Sequence, residues 1–259
     1  MRKVRLRATK LGKIRFTSHR DIARVWERAL RRAELPVASS QGFTPRPRIS
    51  FGLALPTGAE SIAEYVDVDL AEELTEEDVA ALPATLTPLL PDGFDVLVAA
   101  ERPPSGGSLQ EVVTSCTWEL WAPMLDVRHH RDACLLLDAP SLPLDRERKG
   151  KRSADDVRPL ILDLRVPSET HGRLMADDTP SRLIADTATN GRGLRPSELA
   201  QLAYPSVDPL DVRVLRTHQW IDHDGERREL LPCDTGVTTR AREWAQPALV
   251  GTSPQGVLV

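Results

Sequence analysis

Basic residues alternate with smaller or apolar ones from Arg2 to Thr9, which predicts a strand with one charged face. Lys10–Lys13 reads as a turn around Gly12, and Ile14-Arg15-Phe16 as a short extended stretch. Ser18 with Asp21 three residues later predicts a helix N-cap, a capping-box relative with Asp in place of Glu. Ile22, Val25, Trp26, Ala29, Leu30 and Ala33 then recur at helical spacing until Pro36 ends the run. Residues 37–48 carry Gly42, Pro45 and Pro47 and predict a loop with an extended end. Strands follow at 49–55, interrupted by Gly52, and at 62–70, where Val66 to Leu70 alternate. Thr75 and Asp78 cap a second helix, shortened or kinked by Pro83, and 94–100 is a further strand.

Pro103–Ser108 has linker composition. The order then repeats less clearly. A strand at 112–121 and a helix near 125–138 precede strands near 142–148 and 156–166. A broken segment containing 182–188, a helix opened by Pro196 and a last strand at 211–220 follow. Strand, helix, strand, strand, helix, strand is the split βαβ order of the ferredoxin-like fold. The expected architecture is therefore α+β, with two ferredoxin-like domains in tandem, each with its own antiparallel sheet. Their bounds are 1–102 and 111–222, joined by a linker at 103–110, with a mobile tail at 223–259.

Charge changes this picture sharply. Residues 1–50 hold fourteen Lys and Arg against three acids, and residues 51–101 hold twelve carboxylates with no basic residue, although the chain's net charge is only −4. Such segregation implies either a surface facing a polyanion or internal neutralisation between neighbouring strands. Arg20, Arg24, Arg28 and Arg31 fall within about 80° of one another on the helix side opposite the apolar stripe. The Gln41–Arg48 loop adds Phe43, Arg46 and Arg48, a combination that can stack on an unpaired base and hold phosphates, or pack as a rigid connector. A second basic run, Arg146, Arg148, Lys149, Lys151, Arg152 and Arg158, surrounds a hairpin tip at Gly150. Arg192 and Arg195 precede a helix N-terminus able to receive an anion. With Arg15, these residues form a candidate RNA-binding track.

His19, among cations, is the candidate catalytic base for metal-independent RNA cleavage, with a helix-cap role as the plainer reading. The three cysteines are widely spaced, giving no metal site and no iron–sulfur ligand cluster. No cofactor-binding glycine motif occurs. Neither an apolar run long enough to span a membrane nor a signal-peptide core is present, so a cytoplasmic location is expected.

The runs Lys10-Leu-Gly-Lys-Ile-Arg-Phe-Thr-Ser-His-Arg-Asp21 and Ser40-Gln-Gly-Phe-Thr-Pro-Arg-Pro-Arg-Ile-Ser-Phe51 resemble the radical-SAM-linked family of unknown function. Ala54–Gly58, Glu64–Asp67, Asp156–Ile161, Gly193–Leu199 and Arg216–Trp220 extend the resemblance over about residues 3–221. It implies partnership with a radical SAM protein and supplies no reaction. The expected function is a non-catalytic RNA-binding accessory protein acting with a radical SAM enzyme in tRNA or rRNA modification. The alternatives are an RNA-processing or RNA-modifying enzyme using His19 and a protein–protein adaptor that ignores RNA.

Overall fold

The computed structural model describes residues 3–102, 107–148, 150–167 and 181–232. In chain order the elements of the first half are β1 (Lys3–Lys10), a 3-10 turn (Gly12–Phe16), α1 (His19–Arg32), β2 (Ile49–Phe51), β3 (Glu60–Asp69), α2 (Glu76–Leu86) and β4 (Val96–Arg102). The second half holds α3 (Leu109–Val112), β5 (Val113–Trp121), α4 (Val127–Cys134), β6 (Pro143–Arg148), β7 (Lys151–Asp156), β8 (Ile161–Arg165), β9 (Leu183–Ala188), α5 (Pro196–Ala203), β10 (Arg213–His223) and β11 (Glu226–Glu229).

The expectation of two separate antiparallel domains is overturned. Nine strands form one mixed sheet in the order β4-β1-β3-β10-β5-β9-β8, with β2 also on β3 and β11 also on β10. The join is parallel: Leu215 and Arg216 of β10 pair with Glu60 and Ser61 of β3. Its physical cause is a mismatch in strand length. β3 has ten residues, but the three-residue β2 covers only Val66, Asp67 and Val68 on that edge. The uncovered start of β3 is an open edge whose N–H and C=O groups need partners, and β10 supplies them.

Two further differences are local. Gly12–Phe16 winds into a 3-10 turn rather than extending. The stretch 156–166 is split by a second 3-10 turn, Arg158–Leu160, where Pro159 cannot donate to a ladder. Residues 226–229 of the segment assigned to the tail form β11, while residues 233–259 lie outside the described residues, as do residues 103–106 of the linker.

Helices α1, α2, α4 and α5 cover one face, whereas Leu109 of α3 packs with Ala63 and Tyr65 on the other. Val4, Leu6 and Ala8 of β1 and Val66 and Val68 of β3 pack on Trp26, Ala29 and Leu30 of α1 and Leu82 and Leu86 of α2. Trp118 and Leu120 of β5 and Ala185 of β9 pack on Ala133 of α4 and Leu199 and Ala200 of α5. Glu64, in step with Val66, meets Arg216, in step with Val214, so both helical layers lie on the same side of the sheet. Among the described residues no helix is long and apolar enough to cross a membrane.

Candidate nucleic-acid interface

α1 forms as its sequence dictates. The Ser18 hydroxyl accepts from the Asp21 backbone N–H, and the apolar stripe buries Trp26, Ala29 and Leu30. Burying that stripe turns Arg20, Arg24, Arg28 and Arg31 outward, and all four are exposed. Arg24 contacts Asp21 at 3.2 Å, an exposed pair of little energetic consequence. Arg20, Arg28 and Arg31 form no ion pair among the described residues. The guanidinium row rises about 16 Å along the helix.

The 40–48 loop leaves the sheet at the end where α1 finishes. Val37 bridges Leu70, and the Ala71 N–H donates to the Pro36 carbonyl. Ser40 and Arg46 close the loop through paired backbone and hydroxyl bonds of 2.8 and 3.0 Å. Gly42 at φ 137° turns its tip, and Phe43 beside it is fully exposed. The connector reading, in which Phe43 packs on the core, fails on that exposure. Arg46 is exposed, and Arg48 reaches Asp69 at 3.3 Å while half its side chain stays in solvent.

The basic residues of β1 go inward instead. Arg5 makes a two-pronged contact with Asp67 at 2.7 and 2.9 Å. Arg7 donates to the carbonyls of Ile62, Thr217 and Leu231 and to Glu229. Arg15 stacks on the Phe16 ring at 4.5 Å with Glu60 at 3.7 Å. Acids of β3 and β11 therefore neutralise the strand's share of the N-terminal charge, while the helix and most of the loop share remains outside.

The second basic run divides as well. Arg146 is buried against Glu198 at 2.7 Å and Asp155 at 3.5 Å. Arg158 spends its guanidinium on the carbonyls of Leu137 and Ile161, and Arg192 reaches Asp155 at 3.3 Å. Arg152 is exposed beside Glu147 at 3.8 Å, and Arg195 is exposed at the start of α5. Lys149 lies outside the described residues; Arg148 and Lys151 belong to the β6–β7 hairpin by their backbone. The structure thus gathers α1 and the 40–48 loop at one half of the molecule and leaves the second run at the other.

His19 sits exposed at the start of α1, its ring edge-on to Phe51 at 5.2 Å. A different histidine, His218, occupies a dense polar cluster. On the face opposite α1, Asp186 accepts from Thr117, from Arg165 at 2.8 Å and from Arg227 at 2.9 Å. Trp220 donates to the Thr117 hydroxyl at 2.7 Å, lies under the Arg227 guanidinium and stacks on His218 at 4.8 Å. His218 and Trp220 sit two apart on one strand, the spacing that could have revealed a shared face. Asp186 comes from a strand whose pairing with β5 the sequence does not announce. Among the described residues no group of His, Cys, Asp and Glu is placed to hold a metal ion.

Burial pushes the His218 imidazole down, the charges of Arg7, Arg227 and Arg165 add to it against Asp186, and it falls to about 4. Burial pushes the Asp186 carboxyl up, but bonds from Arg227, Thr117 and Arg165 outweigh it and bring it to about 2. Both groups bind fewer protons folded than unfolded, so both cost stability as pH falls. His218 acts between 6.5 and about 4, and Asp186 between 3.8 and about 2. Urea denaturation at stepped pH is expected to show stability falling in these two windows. Burial also pushes the His130 imidazole down, so the His218→Phe variant makes the upper window shallower without abolishing it and keeps the lower; an unchanged upper slope would assign that titration to His130 alone.

These features define an α+β protein with one mixed sheet, a helical layer on one side and an exposed arginine face on its first helix. Residues 3–196 match the model of a family described as an uncharacterized protein conserved in bacteria (DUF2344), and the chain belongs to that family. No curated protein matches it.

Proposed function

We propose that the protein is a non-catalytic RNA-binding accessory protein that serves a radical SAM enzyme in tRNA or rRNA modification. The observation that carries the RNA half is the division of the N-terminal charge. Arginines of β1 are consumed by carboxylates of the same sheet, whereas those of α1 stay exposed beside a loop presenting a bare aromatic ring. A row of guanidiniums spaced along a helix suits the phosphates of one backbone, and Phe43 offers a face to an unpaired base. The radical SAM half rests on the resemblance of the Lys10–Asp21 and Ser40–Phe51 runs to that family's pattern.

The test is fluorescence anisotropy of the full chain with folded tRNA across salt. Four to six phosphate contacts give a log–log slope of roughly −3 to −5. Affinity that is flat in salt, or absent at low salt, would overturn the reading, and the arginine face would then be sought as a docking site for a protein.

A further inference from the structure

A cavity of about 230 Å³ opens on the helix-bearing side of the sheet, at the join between the two halves. The segment after β2 (Leu53, Ala54, Pro56) forms one wall, and Gly193–Pro196, leading into α5, forms another. Trp118, Cys116 and Arg216 also line it. The runs that extend the family resemblance, Ala54–Gly58, Gly193–Leu199 and Arg216–Trp220, are far apart in the chain and converge here.

The polar group in this cavity is a buried arginine with the Cys116 thiol beside it; an Nε unpaired among the described residues is shared with Arg146 and Arg213, and here it lines the junction cavity. The Arg216 side chain is 2% exposed. Its guanidinium lies 5.5 Å from the centre of the Trp118 ring and donates to Glu64 at 2.6 Å and to the Leu53 carbonyl at 3.0 Å. Its Nε finds no acceptor among the described residues. A buried donor left without a partner costs free energy, and such groups call for a missing acceptor. Lys10, also buried, lies within electrostatic reach of both Glu64 and Arg216. The Lys10 ammonium is spent on the Thr17 carbonyl at 3.3 Å, so it is the Arg216 guanidinium, bonded to Glu64 and Leu53 with its Nε left over, that favours an electron-rich guest.

Size and walls narrow the guest further. The cavity is smaller than the roughly 300–1,000 Å³ of pockets for drug-sized ligands, so it takes one ring system rather than a whole cofactor. An indole and two prolines, Pro56 and Pro196, offer flat apolar surfaces, while Arg195, exposed at the edge, can meet a phosphate outside. We infer that the junction cavity is a binding pocket for a single nucleobase, which presents a ring nitrogen or carbonyl oxygen to Arg216. Extruded bases are held in just this way, stacked between apolar side chains and read along their polar edge.

The base comes either from a free nucleoside or from an unpaired position of an RNA; only the second source rests on the function proposed above. β2 joins the two regions, since Arg48 precedes it and Leu53 follows it, and five extended residues span about 17 Å. That is a few nucleotides of single strand.

The Trp118 indole N–H, which donates to the Thr187 hydroxyl at 3.0 Å, reports occupancy. The full chain, labelled with ¹⁵N, is titrated with adenosine, guanosine, cytidine and uridine, and separately with a short single-stranded RNA, while anisotropy follows RNA binding. The indole signal is assigned by Trp118→Phe. At least one nucleoside or the RNA is expected to shift it. Ala54→Phe, at an exposed lining position, and Arg216→Lys, which keeps a cation for Glu64, each weaken that response at least tenfold. A shift with RNA alone identifies the source as a base in a strand. A shift with nucleosides in a protein that does not bind RNA keeps the pocket and removes the RNA reading. No shift with either ligand, or a shift untouched by folded Ala54→Phe, overturns the pocket, and RNA binding by anisotropy would still stand.

Discussion

Asp67→Ala lowers the melting temperature by about 6–20 °C. Asp67 sits at the centre of a buried triad. Arg5 grips both carboxylate oxygens, and Arg102 approaches Oδ2 at 3.4 Å. The three side chains are 3%, 10% and 11% exposed, so water does not replace the lost carboxylate. Alanine leaves two guanidiniums buried on one face, and breaking a buried pair from one side costs about 3–5 kcal/mol. The Arg5→Met/Asp67→Leu double variant is expected to lose less than Asp67→Ala, because it removes one cation together with the anion. Thermal melts followed by circular dichroism decide this. A shift for Asp67→Ala near that of an exposed control such as Glu77→Ala would mean that solvent reaches the triad.

That triad also marks where sequence reading stops. The alternation of Arg5 and Arg7 with Val4, Leu6 and Ala8 announces a strand with one charged face, and the structure has that strand. Whether the charged face meets water or carboxylates depends on which strand lies beside it. The partner of Arg5 is sixty-two residues away, fixed by the register of β1 against β3. Periodicity is local, whereas register is set by packing of the whole sheet. The same limit hid the join of the halves. A linker-like composition at Pro103–Ser108 suggests separable domains, but the open start of β3 needs a neighbour, and the neighbour comes from the far end of the chain.

Helix α1 was legible for the opposite reason. Its cap, apolar stripe and basic stripe are all set within about fifteen residues, and burial of Trp26 fixes which way the arginines face. The exposure of Phe43 was less legible, because a lone aromatic in a loop fits both core and surface until the loop is closed by Ser40 and Arg46. The polar cluster of His218, Asp186 and Arg227 needed three strands, β10, β9 and β11, to be brought together.

Reversing the α1 face, with Arg20, Arg24, Arg28 and Arg31 all changed to Glu, is expected to cut tRNA affinity at low salt by about a hundredfold or more. Each exposed guanidinium releases close to one counterion on meeting a phosphate, so the log–log salt slope should also become shallower by about three. Fold should survive. These side chains leave α1 on its solvent side, and only the exposed Asp21 contact is disturbed among their ion pairs with described residues. Four glutamates at the same positions keep good helix propensity, although acids near the C-terminal turn oppose the helix dipole slightly. A reversal of Arg128 and Arg131, both exposed on α4 in the second half, separates a local interface from general charge, since it removes positive charge away from both α1 and the junction cavity. If both variants weaken binding in proportion to charge alone, the protein attracts RNA as a diffuse polycation. A loss confined to the α1 variant places the phosphate backbone along that helix.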